Sequence, residues 1–354
     1  PVFVRRTVFT VRRLALLSIS ATLALGLVAC SSDGSSDDGT STSESASAES
    51  ALVVYSGRGE ELVDPLIERI GGGIEVDYSG NTNAQAAKIL EEGDATPADV
   101  FYGQDAGALG ALDEAGALAP LPEDILSLVP EQYRGADGTW VATSARARVL
   151  AYNSDSVQAA DLPTGIDGLL DPRWRGQIGY APTNASFQAF VTALRVQRGE
   201  DGARTWLEGF VANEPVAFEG NGPLLTAVND GQVSAGLTNH YYWYPFKEEN
   251  GDDAPVELHY FEPGDPGALI NVAGAGVLAA SDNQEAAFDF VRELLSTESQ
   301  TYFANETAEY PVIDGVTSDY DLPPLSELGS TDLDLGRLSS LEATQTLLTD
   351  VGII

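Results

Sequence analysis

Short apolar runs alternate with stretches of helical periodicity along most of the chain, and their order defines an expected architecture. Ala51-Leu52-Val53-Val54-Tyr55 is a continuous apolar run of strand length, followed by helical spacing from Glu60 to Ile70. Ile74–Tyr78 and Val100–Tyr102 repeat the strand signal, while Asn83–Glu92 and Ala106–Ala115 repeat the helical one. Such a βαβαβα run predicts a mostly parallel sheet flanked by helices. Ligands of these sheets lie beyond the C-terminal strand ends, over helix N-termini. The polar loops Ser56-Gly57-Arg58-Gly59 and Gly103-Gln104-Asp105 fall there.

Two strands, Thr139–Ser144 and Arg148–Asn153, then lead into a second unit of the same kind. Its expected strands are Gln177–Tyr180, Val216–Phe218 and Val233–Thr238, separated by helices over Phe187–Gln197, Gly202–Val211 and Leu224–Asp230. A strand pair, Val256–Phe261 and Ala268–Leu278, is expected to cross back to the first unit. Helices over Asn283–Leu295 and Ser340–Thr349 close the chain. A folded part of this length normally divides into two lobes, because a single core stops growing.

The start of the chain reads differently. Arg5, Arg6, Arg12 and Arg13 precede an apolar run from Leu14 to Ala29, too short for the ~20 residues of a membrane-spanning helix, and small residues follow it. Residues 1–30 are therefore expected to be an export signal. The run ends in Leu27-Val28-Ala29-Cys30, which resembles the bacterial lipoprotein box, and Cys30 is the only cysteine. Acylation of Cys30 would anchor the exported protein to the outer face of the cytoplasmic membrane without spanning it. Residues 31–50 are almost wholly Ser, Asp, Gly, Thr, Glu and Ala, have nothing to bury, and are expected to form a disordered tether.

Composition adds exclusions. The net charge of −36 leaves no basic footprint for nucleic acid and disfavours adhesion to anionic phospholipid. No Gly-x-Ser-x-Gly, His-Glu-x-x-His or Walker-type phosphate loop occurs, so no catalytic signature supports an enzyme such as a secreted hydrolase. His240 and His259 lie apart in sequence and read as ordinary imidazoles. The candidate chemistry lies in Asn239-His240-Tyr241-Tyr242-Trp243, behind the strand Val233–Thr238. Adjacent tyrosines after a strand are ordinarily packing residues. Phenolate oxygen is also a hard anionic ligand, suited to a hard cation such as ferric iron.

Several segments in order resemble one family. These are Val54-Tyr55-Ser56-Gly57-Arg58, Pro97-Ala98-Asp99-Val100-Phe101-Tyr102, Pro172 through Tyr180, Pro182-Thr183-Asn184-Ala185-Ser186-Phe187, Asn239 through Trp243, and Asp265-Pro266-Gly267-Ala268-Leu269. They resemble the ferric-iron-binding solute receptors of bacterial ABC importers, and the likeness covers nearly all of 51–354. It implies the α/β fold of the two-lobed type II periplasmic binding proteins, each lobe a mixed, mostly parallel sheet flanked by helices and joined by a hinge. The first lobe is expected over 51–148, completed by 271–310, the second over 149–270, with 311–354 a helical region packing on both.

The resemblance further implies that Tyr241 and Tyr242 hold Fe³⁺ and that a synergistic anion, phosphate or carbonate, binds at Asn184, Ala185 and Ser186. Further contacts would come from Asn221 and Asn239. Free N–H groups at the start of the helix after Asn184 favour an anion, although Asn184 and Ser186 also suit plain N-capping. The implied partners are an ABC permease with its ATPase, and the expected state is a monomer that takes ferric iron or a small ferric chelate.

The chain departs from the family pattern where a first-lobe histidine is usual: Ser56-Gly57-Arg58-Gly59-Glu60 offers glycine. Where a glutamate is usual after the Phe-Tyr strand, Gln104 stands beside Asp105. Fe³⁺ with two phenolates keeps a positive charge and an incomplete shell. Gln104 would coordinate through its amide oxygen or bind a water that does, and Glu60 and Asp105 are spare carboxylates that also suit a helix N-terminus and a helix cap. Arg58 and Arg146 are candidates to balance an anion, or ordinary ion-pair members. The missing ligands keep a rival cargo in view on the same fold: an organic anion, an aminophosphonate, a polyamine or thiamine.

Overall fold

The computed structural model describes residues 51–328 and 333–354. The expected export signal, Cys30 and the tether to residue 50 lie outside the described residues. Strands β1 (Leu52–Ser56), β2 (Ile74–Asp77) and β3 (Val100–Gly103) pair in parallel in the order β2-β1-β3. The crossovers are α1 (Glu60–Ile70) and α2 (Thr82–Glu92), and α3 (Ala106–Glu114) follows β3. Their N-termini explain where they begin. Asn81 caps α2 by accepting from the Ala84 N–H, and Asp105 caps α3 through the Gly107 N–H. In α1 the first-turn Glu60 and Glu61 and last-turn Arg69 complement the helix dipole.

After the single turn α4 (Glu123–Leu126) comes β4 (Trp140–Asn153), buried along all 14 residues. The sequence reads as two strands here because Arg146 and small alanines interrupt the apolar pattern. The structure makes one strand, with a register shift between Ala142 and Ser144. The second half of the fold adds β5 (Ile178–Tyr180), α5 (Ala185–Ala212), β6 (Val216–Ala217), α6 (Asn221–Asn229), β7 (Ala235–Asn239), α7 (Trp243–Asn250) and β8 (Val256–His259). The two helices expected over 187–211 are both present within α5 and meet at a break where Gly199 takes the non-helical angles φ 72° and ψ 169°. Strand β9 (Ile270–Val277) follows, then α8 (Gln284–Leu294), α9 (Thr297–Glu306) and α10 (Leu341–Asp350).

Among the described residues the strands run β2-β1-β3-β9-β4-β7-β5-β6, with β8 also on β4. Strand β9 is antiparallel to β3 and to the first part of β4, so it returns to the first sheet as expected. Strand β8 does not return. It pairs with Leu150–Asn153 of β4 and stays with the second sheet. The hydrophobic core divides accordingly. One cluster centres on Val54, Phe101, Trp140 and Val272; another gathers Phe187, Phe190, Trp206, Phe210 and Leu237.

The long strand β4 connects the two sheets, and its partners change at one point. Trp140–Ala147 pairs with β9, whereas Arg148–Tyr152 pairs with β7. Strand β7 ends at Asn239, opposite Arg148. The chain then makes a short 3-10 turn, His240–Tyr242, before α7. The adjacent tyrosines therefore emerge where the two halves meet. No helix among the described residues is long and apolar enough to cross a membrane.

Candidate metal centre

Tyr241 and Tyr242 are half-buried, with stacked rings whose centroids are 4.5 Å apart at 27°. Burial pushes the Tyr241 phenol well above its ordinary range, the neighbouring Tyr242 adds to the rise, and Arg146 opposes it. Without a cation the Tyr241 phenol keeps its proton. A strongly charged ion must displace that proton to gain a phenolate ligand.

Behind the tyrosines stand two arginines two residues apart on β4, and so on one face of the strand. The Arg146 Nη2 lies 3.6 Å from the Asp105 carboxylate, while its Nη1 is buried without a partner. Asp105 accepts from the Asn271 amide at 2.6 Å and caps α3 with its other oxygen. Arg148 is differently placed. Its Nη1 donates to Ser186 Oγ at 3.1 Å and to Asn239 Oδ1 at 3.4 Å, and its Nη2 donates to the Leu237 carbonyl at 3.0 Å. None of these acceptors carries a charge, and its Nε has no partner. Burial lowers the Arg148 guanidinium to about 9, with the Tyr241 and Tyr242 phenols pulling the other way.

The start of α5 completes this corner. Asn184 Oδ1 accepts from the Ser186 N–H at 2.9 Å and from the Ser186 hydroxyl at 2.6 Å. The Asn221 amide donates to Ser186 Oγ at 3.1 Å, leaving its own Oδ1 buried and unmatched. Ala185 is the first residue of α5. Ser186 thus links the Arg148 guanidinium, the helix start and Asn221. On the first-sheet side the Gln104 N–H donates to Thr82 Oγ1 at 3.0 Å, and the Gln104 Oε1 is buried without a partner. Buried polar atoms normally have partners, so unmatched atoms on Gln104, Asn221, Arg146 and Arg148 ask for a polar ligand or water.

Other residues singled out by the sequence have different settings. Arg58 is fully buried in an ion pair with Glu309 at 2.6 Å and donates to Tyr102 and Ser144 at 3.0 and 3.2 Å. Its charge is met inside the fold. Glu60 is exposed and shares a surface depression with Asp64, Glu68 and Tyr78. A side chain at Gly57 would meet the Thr82 backbone at 2.3 Å, so the loop after β1 presents no ligand from that position. Both His240 ring nitrogens are taken by backbone groups, and His259 Nε2 lies 2.8 Å from the Pro163 carbonyl. Among the described residues no three His, Cys, Asp or Glu side chains converge as a metal site. Any metal held here depends on other donors, and the stacked phenols are hard ones.

Arg148 was missed by sequence reasoning, which treated it only as the start of a strand. The available signal was Arg146-Ala147-Arg148 within an otherwise apolar run, since such a strand has no cheap place for two guanidinium groups.

Two sheets on one crossing strand, with unmatched polar groups around a phenol pair, define a receptor for a small solute. Residues 95–332 match the model of the bacterial extracellular solute-binding proteins, and the chain belongs to that family. It is a solute-binding protein and not an enzyme. The Fe(3+)-binding periplasmic protein of Serratia marcescens is 33% identical over 314 residues, covering 87% of this chain and 92% of its own length. The solved structure of iron-bound HitA from Pseudomonas aeruginosa is 35% identical, with TM-score 0.77 over 85% of this chain and 99% of that one. A Trichodesmium protein solved in complex with iron and citrate is 29% identical, with TM-score 0.71 over 86% of this chain and 100% of its own. The fold is the two-lobed one of these periplasmic iron-binding proteins.

Proposed function

We propose that this protein captures ferric iron together with an anion outside the cytoplasmic membrane and delivers it to an ABC permease and its ATPase. Tyr241 and Tyr242 are the metal ligands in this reading, with Gln104 Oε1 as a further oxygen donor. The anion lies at Asn184, Ala185 and Ser186, with Asn221 and Asn239 around it. One observation carries the reading: the stacked phenols stand beside Arg148, a buried cation without a carboxylate partner.

Charge supports the same conclusion. Fe³⁺ with two phenolates leaves one positive charge, and Arg148 adds a second. Arg146 is offset by Asp105, and Arg58 is offset by Glu309. A dianion such as hydrogen phosphate or carbonate neutralises the remainder while filling coordination positions. Citrate, bound with iron in the Trichodesmium relative, is another polyanion with oxygen donors for such a metal, carrying one negative charge more than this count requires when fully ionised. Glu60 is an exposed carboxylate in a surface depression with Asp64 and Glu68 and takes no part in this balance. The lobes close around the cargo by hinge motion. Acylated Cys30 holds the monomeric receptor at the membrane, and residues 31–50 give it reach.

The test is optical. Ferric iron on two phenolates produces a red charge-transfer colour, which is lost when Tyr241 and Tyr242 are both replaced by phenylalanine. Acidification returns protons to the phenols and releases iron, because these ligands bind only when deprotonated. The lack of a carboxylate partner for Arg148 also favours a second reading, a receptor for a metal-free organic anion. In that case the protein stays colourless with ferric salts and binds the anion alone.

A further inference from the structure

His240 occupies the place where β4 changes partners. The Arg148 N–H donates to Leu269 on the β9 side, so the adjacent Ala147 N–H faces the β7 side. Strand β7 has ended there, at Asn239. The vacant ladder position is filled by the imidazole, whose Nδ1 accepts from the Ala147 N–H at 3.1 Å. A backbone N–H can only donate, so the ring proton sits on Nε2 and is donated to the Ala308 carbonyl at 2.9 Å. Both nitrogens are therefore engaged, and the ring has no exposure.

The second anchor belongs to another part of the chain. Ala308 holds φ 54°, a left-handed conformation costly for a non-glycine residue, which presents its carbonyl next to Glu309, the partner of Arg58. Tyr310 pairs with Ala145 of β4 through two backbone bonds of 2.9 and 2.8 Å, and its ring lies 4.6 Å from His240. The imidazole also meets Tyr241, edge-on at 5.8 Å. The ring is thus held by β4 and by the 308–310 segment, and it abuts the first phenol.

We propose that His240 is a positioning residue for the metal site: it extends the β4 ladder past the end of β7 and ties the phenol pair to the 308–310 segment, fixing the aim of Tyr241 and Tyr242. The inference rests on the ferric-iron reading above and adds a residue that touches no cargo. A merely structural histidine would change stability without changing the metal spectrum.

The experiment loads wild type, His240→Asn, His240→Gln and His240→Phe with ferric nitrilotriacetate. It then records the charge-transfer band, iron retention against a competing chelator, and thermal melting of the iron-free forms. Asparagine places an acceptor where Nδ1 was, while glutamine places a donor where Nε2 was. The expected result is that the Asn and Gln variants, each keeping one of the two bonds, shift the band part of the way, and that the Phe variant, keeping neither, shifts it furthest and loses about 10- to 100-fold in affinity, the range of outer-shell losses. Unchanged band and affinity in His240→Gln overturn the proposal, whatever the Phe variant does. So do an unchanged band and affinity in His240→Asn. A colourless wild type removes the ferric-iron reading and this inference together; a red wild type with unaffected variants removes this inference alone.

Discussion

Arg58 and Arg148 are equally buried, at 2% and 3% exposure, yet the fold treats their charges in opposite ways. Burial alone would lower Arg58, but Glu309 and Tyr102 outweigh it and hold the guanidinium above its usual value. Arg148 has neutral acceptors only, and burial wins, bringing it down to about 9. A buried charge without a counter-charge is costly unless something outside the chain supplies one. The comparison separates an arginine whose charge the fold itself meets with a carboxylate from one whose charge it leaves without one. Arg148 stands with the phenols and the α5 start, which is where a bound anion would satisfy it.

The strongest way to break this contrast is to remove the phenols. Tyr241→Phe with Tyr242→Phe abolishes the red colour and lowers iron affinity by more than the roughly 100-fold typical of an outer-shell loss, measured by chelator competition. Retained colour would separate the metal from the Arg148 corner. Next in size, Glu309→Gln leaves Arg58 buried without its partner and lowers stability by about 3–5 kcal/mol in urea unfolding.

The pH response probes the residue between the two arginine sites. His240 is lowered by burial from 6.5 to about 4. Between these values the unfolded chain binds the proton and the folded one does not, so stability rises with pH and is lost on acidification. Iron-free protein should lose up to about 3 kcal/mol through this group as pH falls from 6.5 through 4. His240→Asn lacks that component, and urea midpoints of the two proteins across this window measure the difference. The smallest effect sharpens the comparison most. Arg148→Met should leave stability unchanged or raised, while phosphate affinity of the iron-free protein falls about 10- to 100-fold, as expected for a lost charged hydrogen bond. A stability loss matching that of Glu309→Gln would make Arg148 a structural arginine like Arg58.

Much of the fold was legible because local pattern and tertiary role agree. The three leading strands and helices alternate in period, and the elements expected over 51–115 lie within a residue or two of the observed ones. The miss at β4 has a physical cause: Ala145-Arg146-Ala147 lacks strand-forming bulk, and its strand conformation is imposed by β9 on one side. Helix α9 escaped notice because Ser299 and Gln300 are polar yet buried, with the Gln300 amide donating to the Thr143 and Leu294 carbonyls. At the site, the phenol pair and the Asn184–Ser186 turn are contiguous in sequence and could be read there. Arg148 could not be separated from Arg58 that way, since the distinction is a partner, Glu309, lying 251 positions along the chain from Arg58.

The central claim is that the phenol pair and Arg148 act on one metal-anion cargo. Diffraction at the iron absorption edge from crystals of the ferric form tests it directly. The account predicts one iron peak between the Tyr241 and Tyr242 oxygens, with an anion spanning from the metal to Ser186 and the Arg148 guanidinium. Iron bound elsewhere, or bound at the phenols with Arg148 facing no anion, would contradict it.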